Sequence, residues 1–248
     1  MLAIPVDVLL EILEHVRKAD LASLCRVNKI FCSCSRDVLY REINFEITSV
    51  IHTLAQSTDL ARRVRSFRAC GDYPGLAMAL QNMSSLRRLD YRGFSDDTSI
   101  LDGCTFKLDS FETTYPYSES FHKFLNSQPS LTKFTSHYGA EYPPPFEETF
   151  LPNLTRVRAE SCLVRRLVPG RPVREVILYD PCDEDYPIDF SIFTLSTAPI
   201  QKLEIAYRLL YPTPGSHLAS IFPSLEHLVI LAHYMDRAVR IHPLYLPI

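Results

Sequence analysis

Tryptophan is absent from this chain, and glycine occurs only 7 times in 248 residues. So few glycines leave little room for loops that cradle phosphates, and neither G-x-G-x-x-G nor a P-loop string occurs. The strained G-x-S-x-G turn that carries a hydrolase serine is missing too. No apolar run approaches the roughly 18 residues of a membrane span. Asp7, Glu11 and Glu14 stand where a secretory leader needs cations and an unbroken apolar stretch. A formal charge of -3 sets up no overall field to draw in nucleic acid or membrane. The seven cysteines follow no framework spacing and are odd in number, which predicts reduced thiols in a cytoplasmic or nuclear compartment. Cys32-Ser33-Cys34 lacks the second thiol pair of a zinc site. The acidic stretch with Asp183, Asp185 and Asp189 lacks both the glycine and the final glutamate of a calcium loop. No metal, cofactor or catalytic residue is expected, so the chain reads as a non-enzyme.

What the chain does have is an amphipathic start. In "IPVDVLLEILEHV", residues 4–16, Pro5 suits a first helical turn because it has fixed φ and no N–H to leave unpaired. With Val8 at 0° and about 100° per residue, Ile12 falls near 40°, Val16 near 80°, Leu9 near 100°, Leu13 near 140°, Val6 near 160° and Leu10 near 200°. A helix packed on one core needs an apolar arc only somewhat wider than about 100°. This arc has room for two contacts. Asp20 is expected to cap a second short helix, and Asn28 a third that offers Ile30, Phe31, Cys34 and Val38 on one side. Three helices in about 45 residues bury too little surface to stand alone. The pattern by itself leaves open whether they cap a larger domain or present a docking face.

The order of residues resembles a known motif. Ile4-Pro5-Val6-Asp7, then Leu9, Ile12 and Leu13, then Asp20-Leu21, then Val27 with Phe31 four later, and finally Leu39-Tyr40-Arg41 resemble the F-box. Phe31 and Tyr40 stand where that family commonly has tryptophan. The resemblance implies a helix cluster over residues 1–45 that binds the Skp-type adaptor of an SCF ubiquitin ligase. It assigns the adaptor contact to Ile4, Pro5, Leu9, Leu10, Leu13, Leu21, Leu24 and Val27, without dividing them between core and interface.

Residues 46–248 carry a recurring L-x-x-φ-x-x phrase, where φ is apolar. Its registers start at Val64, Leu86, Leu108, Leu131, Leu154, Val173, Ile200 and Leu225, with Phe67, Leu89, Phe111, Phe134, Val157, Val176, Leu203 and Leu228 three residues on. The spacings run from 19 to 27 residues, within or close to the range of leucine-rich repeats. Helix-like stretches such as "SFHKFLNSQPS" precede several registers, as a strand-plus-helix repeat requires. The segment before Val64 reads as a strand and a helix with Val50, Leu54 and Leu60 as its apolar seam. The expected fold class is thus α/β: a three-helix F-box followed by an irregular leucine-rich-repeat solenoid. This arrangement resembles the F-box/leucine-rich-repeat proteins abundant in fungi. Two longer loops, at 139–148 and 181–190, interrupt the array, and the tail after Leu225 is short for a capping repeat.

Strand positions two, four and six of each register should face away from the core. In the first five registers these include the cations Arg68, Arg88, Arg92, Lys133, Arg156 and Arg158 against the acids Asp90, Glu112 and Glu160. The face is expected to be mildly positive and suited to an acidic or phosphorylated target, although charge on a solenoid face also serves solubility. The function expected is that of a substrate-receptor subunit: the adaptor, and through it a cullin-RING ligase, on the helices, and an unknown target protein on the repeats. The alternative is a non-catalytic leucine-rich-repeat scaffold without a ligase role. Neither nucleic acid nor membrane is an expected partner.

Overall fold

The computed structural model describes residues 4–44, 48–93, 98–137, 146–147, 149–179, 189–206, 215–231 and 238–241. The chain forms two compact units, residues 1–91 with 99–107 and residues 92–98 with 108–248. The long loops expected at 139–148 and 181–190 fall largely outside the described residues.

The first unit begins with three helices: α1 (Val6–Glu14), α2 (Lys18–Leu24) and α3 (Lys29–Arg41). Asn28 caps α3 as expected, its side chain accepting a hydrogen bond from the Phe31 N–H at 2.9 Å. Asp20 does not cap α2. That helix starts earlier, and Asp20 lies in its first turn, 2.8 Å from the Arg17 guanidinium and at the end where helix N–H groups favour an acid. Strand β1 (Glu42–Ile43) follows α3 directly. The expected single helix after it is two, α4 (Thr48–Gln56) and α5 (Thr58–Ala61), because the Ser57 hydroxyl interrupts the run and accepts from the Leu60 N–H. Ile51 and Leu54 are the buried seam, with Val50 and Leu60 only half-buried. Strand β2 (Ser66–Cys70), α6 (Leu76–Asn82) and β3 (Arg88–Arg92), whose last residue counts with the second unit, follow, along with a 3-10 turn at Thr98–Leu101 that belongs to the first unit from Ser99 on. Strand β1 runs parallel to β2, pairing Ile43 with Phe67.

The second unit contains β4 (Ser110–Thr113), α7 (Glu119–Asn126), β5 (Lys133–Ser136), β6 (Arg156–Glu160), α8 (Ser161–Leu167) and β7 (Glu175–Tyr179). A 3-10 segment at Phe190–Leu195, β8 (Lys202–Ala206), α9 (Gly215–Ile221), β9 (His227–Leu231) and β10 (Ala238–Ile241) follow. Strands β4 to β9 are parallel and neighbour one another in chain order, and β10 returns antiparallel on β9.

Register explains why this sheet packs. The third-position residues Phe111, Phe134, Val157, Val176, Leu203 and Leu228 lie side by side across β4 to β9. The next inward row pairs Thr113 with Ser136 and then Ala159, Leu178, Ile205 and Ile230 with one another in turn. Beside Phe111 and Phe134 the second row is small, Thr113 and Ser136, and beside Val176 it carries Leu178, so bulk shifts between the rows along the sheet. Around the large end, Phe111 meets Phe121 and Phe124 of α7 and Phe134 of β5, with ring centroids 5.6 to 6.1 Å apart.

Backbone bonds tie successive strands with one recurring joint. A single carbonyl accepts two consecutive N–H groups from the next strand's start: Asp109 from Thr132 and Lys133, Thr132 from Thr155 and Arg156, Thr155 from Arg174 and Glu175, Arg174 from Gln201 and Lys202, and Gln201 from Glu226 and His227. In the first unit, Arg65 accepts in the same way from Arg87 and Arg88. The residue just before each donor pair is a buried or half-buried register residue, Leu86, Leu131, Leu154, Val173, Ile200 or Leu225.

Two buried polar side chains reinforce this frame. Gln128 accepts from the Leu108 N–H at 2.9 Å through Oε1. Arg171, only 2% exposed, donates to the carbonyls of Phe150 and Glu147, each at 2.7 Å, and also to those of Pro169 and Arg166. Its guanidinium thus joins the chain entering β6 to the turn that follows α8.

Candidate functional site

The three N-terminal helices share one small core. Leu9 and Leu13 of α1, Leu21 of α2 and Cys34 of α3 are buried together, with Leu10, Val16, Leu24, Phe31, Val38 and Leu39 packed around them. On α1 the buried arc therefore runs from about 80° to about 200°, the side that carries Val16, Leu9, Leu13 and Leu10. The opposite apolar edge, Val8 and Ile12, faces outward. Val6 lies on the inward arc but in the first turn, where it too is open.

Of the eight residues assigned to adaptor contact, Ile4, Pro5 and Val27 are exposed and Leu10 and Leu24 are half-buried. Leu9, Leu13 and Leu21 hold the helices together and present almost nothing outward. The open apolar set is Ile4, Val6, Val8, Ile12, Val27 and Ile30, each keeping between 44% and 61% of its surface free. Val6, Val8, Ile12 and Ile30 were missing from the sequence-based assignment. The signal for Val8 and Ile12 was present in the angular spread of α1, whose edge near 0° to 40° is the one farthest from Leu10.

This helical cluster is fastened to the strands of its own unit. Arg63, just after α5, pairs with Asp37 of α3, donates to the Ser33 carbonyl at 3.2 Å and reaches Asp59 at 3.3 Å. Arg41 at the end of α3 pairs with Glu14 of α1, and its carbonyl accepts from the Arg65 N–H at 2.9 Å. The helices lean on the rest of the chain through α3, which leaves the Val8–Ile12 edge of α1 and the Val27–Ile30 turn open.

The outward strand residues form a lattice of cross-strand ion pairs. In the first unit Arg68 pairs with Asp90 and Arg88 with Glu42, so these cations are matched one for one. In the second unit Arg92 and His137 both contact Glu112, the latter through Nε2 at 2.8 Å, and Arg156 pairs with Glu175. Lys133 is exposed and Arg158 half-buried. The expected surplus of positive charge is narrowed accordingly: Glu42 and Glu175, on strands outside the five registers counted, add two acids, one acid short of balance. Burial pulls the Glu112 carboxyl up, but the His137 hydrogen bond and the Arg92 charge outweigh it and hold it below the ordinary range. Burial raises Glu160 instead. Burial, aided by Asp102, pushes the Cys104 thiol up to about 12, so it stays protonated at neutral pH.

Among the described residues, no group of three or more His, Cys, Asp or Glu is placed to hold a metal ion. Nor is any helix among them long and apolar enough to cross a membrane. Compared with known families, residues 1–46 match the F-box-like family model. No curated protein matches the chain.

Proposed function

With an F-box-like segment at residues 1–46 as the premise, we propose that this chain is a substrate-receptor subunit of an SCF-type ubiquitin ligase. F-box domains generally bind Skp-type adaptors, and the observation that carries the reading here is the open apolar set on α1 and the α2–α3 turn. In this proposal the adaptor covers Ile4, Val6, Val8, Ile12, Val27 and Ile30, while Leu9, Leu13 and Leu21 shape that surface from beneath. The adaptor links the chain to a cullin-RING ligase. Residues 46–248 form an irregular leucine-rich-repeat solenoid, a reading supported by the in-register apolar rows and the recurring carbonyl joint.

The target is held on the outward strand face, with Arg68, Arg88, Arg92, Lys133, Arg156 and Arg158 as its cationic contacts. Because four of these already face a carboxylate, an acidic target segment has to exchange partners with Asp90, Glu42, Glu112 or Glu175. The chain carries no catalytic residue of its own and acts in the cytoplasm or nucleus. Its contribution is proximity, turning the meeting of target and charged conjugating enzyme into an intramolecular event.

Co-purification of the full chain with a Skp-type adaptor tests this. The full chain is expected to retain the adaptor, and Ile12→Asp combined with Val27→Asp is expected to release it while the fold persists. Absence of any complex with the unaltered chain would leave the scaffold reading.

A further inference from the structure

The exposed turn between α2 and α3 is bracketed by two thiols. Cys25 is the C-terminal cap of α2, and Cys32 lies in the first turns of α3. The Cys25 Sγ is 4.0 Å from the Cys32 carbonyl, and the two side chains are close enough to interact directly. Both are partly exposed, whereas the neighbouring Cys34 is buried. Between them run Arg26, Val27, Asn28, Lys29, Ile30 and Phe31, a stretch that includes both open apolar residues of the turn.

We propose that Cys25 and Cys32 form a reversible disulfide that closes this turn into a small ring. Glutathione disulfide, a two-electron oxidant, balances the step. The Cys32 thiolate attacks one sulfur of glutathione disulfide, its S–S bond breaks, and a glutathione thiolate leaves and takes up a proton. The Cys25 thiolate then attacks Cys32 Sγ in the mixed disulfide, the Cys25–Cys32 bond forms, and the second glutathione leaves as thiol. Two electrons pass from the protein thiols to the glutathione pair. Burial, followed by the neighbouring Cys32, pushes the Cys25 thiol up, so the closing step gains from higher pH. The short ring holds Val27 and Ile30 in one arrangement. That consequence for docking rests on the function proposed above, but the disulfide does not.

The test uses the full chain, incubated with glutathione disulfide, alkylated and digested with trypsin. Cleavage after Lys18, Arg26, Lys29 and Arg36 places Cys25 in residues 19–26 and Cys32 with Cys34 in residues 30–36. A linked pair of these peptides is expected, cleaved by dithiothreitol, retained in Cys34→Ser and lost in Cys32→Ser. Fragmentation of the linked peptide from the unaltered chain assigns the bonded sulfur without relying on any variant. Separate glutathione adducts with no linked peptide, or a bond to Cys34, would overturn the proposal. Binding of a Skp-type adaptor to the oxidised and reduced chains is then compared. At least a threefold difference in Kd is expected, and equal affinity would remove the docking consequence while leaving the disulfide in place.

Discussion

Changing Val8, Ile12, Val27 and Ile30 together to serine removes the open apolar surface of the N-terminal helices while leaving their core untouched. These side chains keep 44%, 50%, 61% and 59% of their surface free. Full burial of a valine or isoleucine is worth about 1.5–3 kcal/mol, so covering the free half is worth about 1 kcal/mol each. Four such changes remove about 4 kcal/mol from association with an adaptor, close to a thousandfold in Kd. Titration calorimetry with a purified Skp-type adaptor measures this loss. Thermal unfolding of the isolated chain supplies the contrast: the quadruple variant keeps its Tm, whereas Leu13→Ala, at a site 1% exposed, loses about 2–5 kcal/mol of stability. The reasoning is refuted if the quadruple variant binds within threefold of the parent, or if it melts as early as Leu13→Ala.

Three other outcomes follow from the second unit. Arg171→Leu keeps apolar bulk but strands four carbonyls, and chemical denaturation should show a loss of about 3 kcal/mol. Gln128→Leu leaves the buried Leu108 N–H without its acceptor, and the denaturation midpoint should fall by the equivalent of about 1–3 kcal/mol. Glu112 and Glu160 should respond oppositely to pH. The depressed value of Glu112 means that its contribution is present above the ordinary 4.5 and is lost as pH falls through the folded value. The raised value of Glu160 means that the folded state favours its neutral form, a benefit present below 4.5 and lost as pH rises through the raised value. Glu160→Gln should therefore raise Tm at about pH 7 and converge on the parent in acid. Glu112→Gln should lower Tm at about pH 7 and likewise converge in acid.

The inward face of the sheet was legible because burial repeats at fixed offsets. A valine, leucine or isoleucine that opens a register and an apolar residue three positions on recur often enough to mark β2 to β9, and the structure sets the later ones side by side. The charge on the other face was less legible. Pairing of Arg88 with Glu42 and of Arg156 with Glu175 joins residues 46 and 19 positions apart, and no count confined to chosen registers finds such partners. The first helix was half legible. The width of its apolar arc marked it as wider than one core needs, but only packing against Leu21 and Cys34 decides which half is inside. Arg171 left no trace in charge patterning, because its partners are main-chain carbonyls that every residue possesses. Ser57 broke one expected helix into two through a local hydroxyl bond that competes with helix continuation.

The doubly accepting carbonyl gives the β2–β3 junction and every junction from β4 to β9 the same chemistry, whatever side chains surround it. Excision or tandem duplication of a whole period would reconnect like with like, leaving every surviving seam intact. Growth of this sheet by copying therefore costs the scaffold little, and ancestral lineages lengthening it in steps would leave the N-terminal helices as they were.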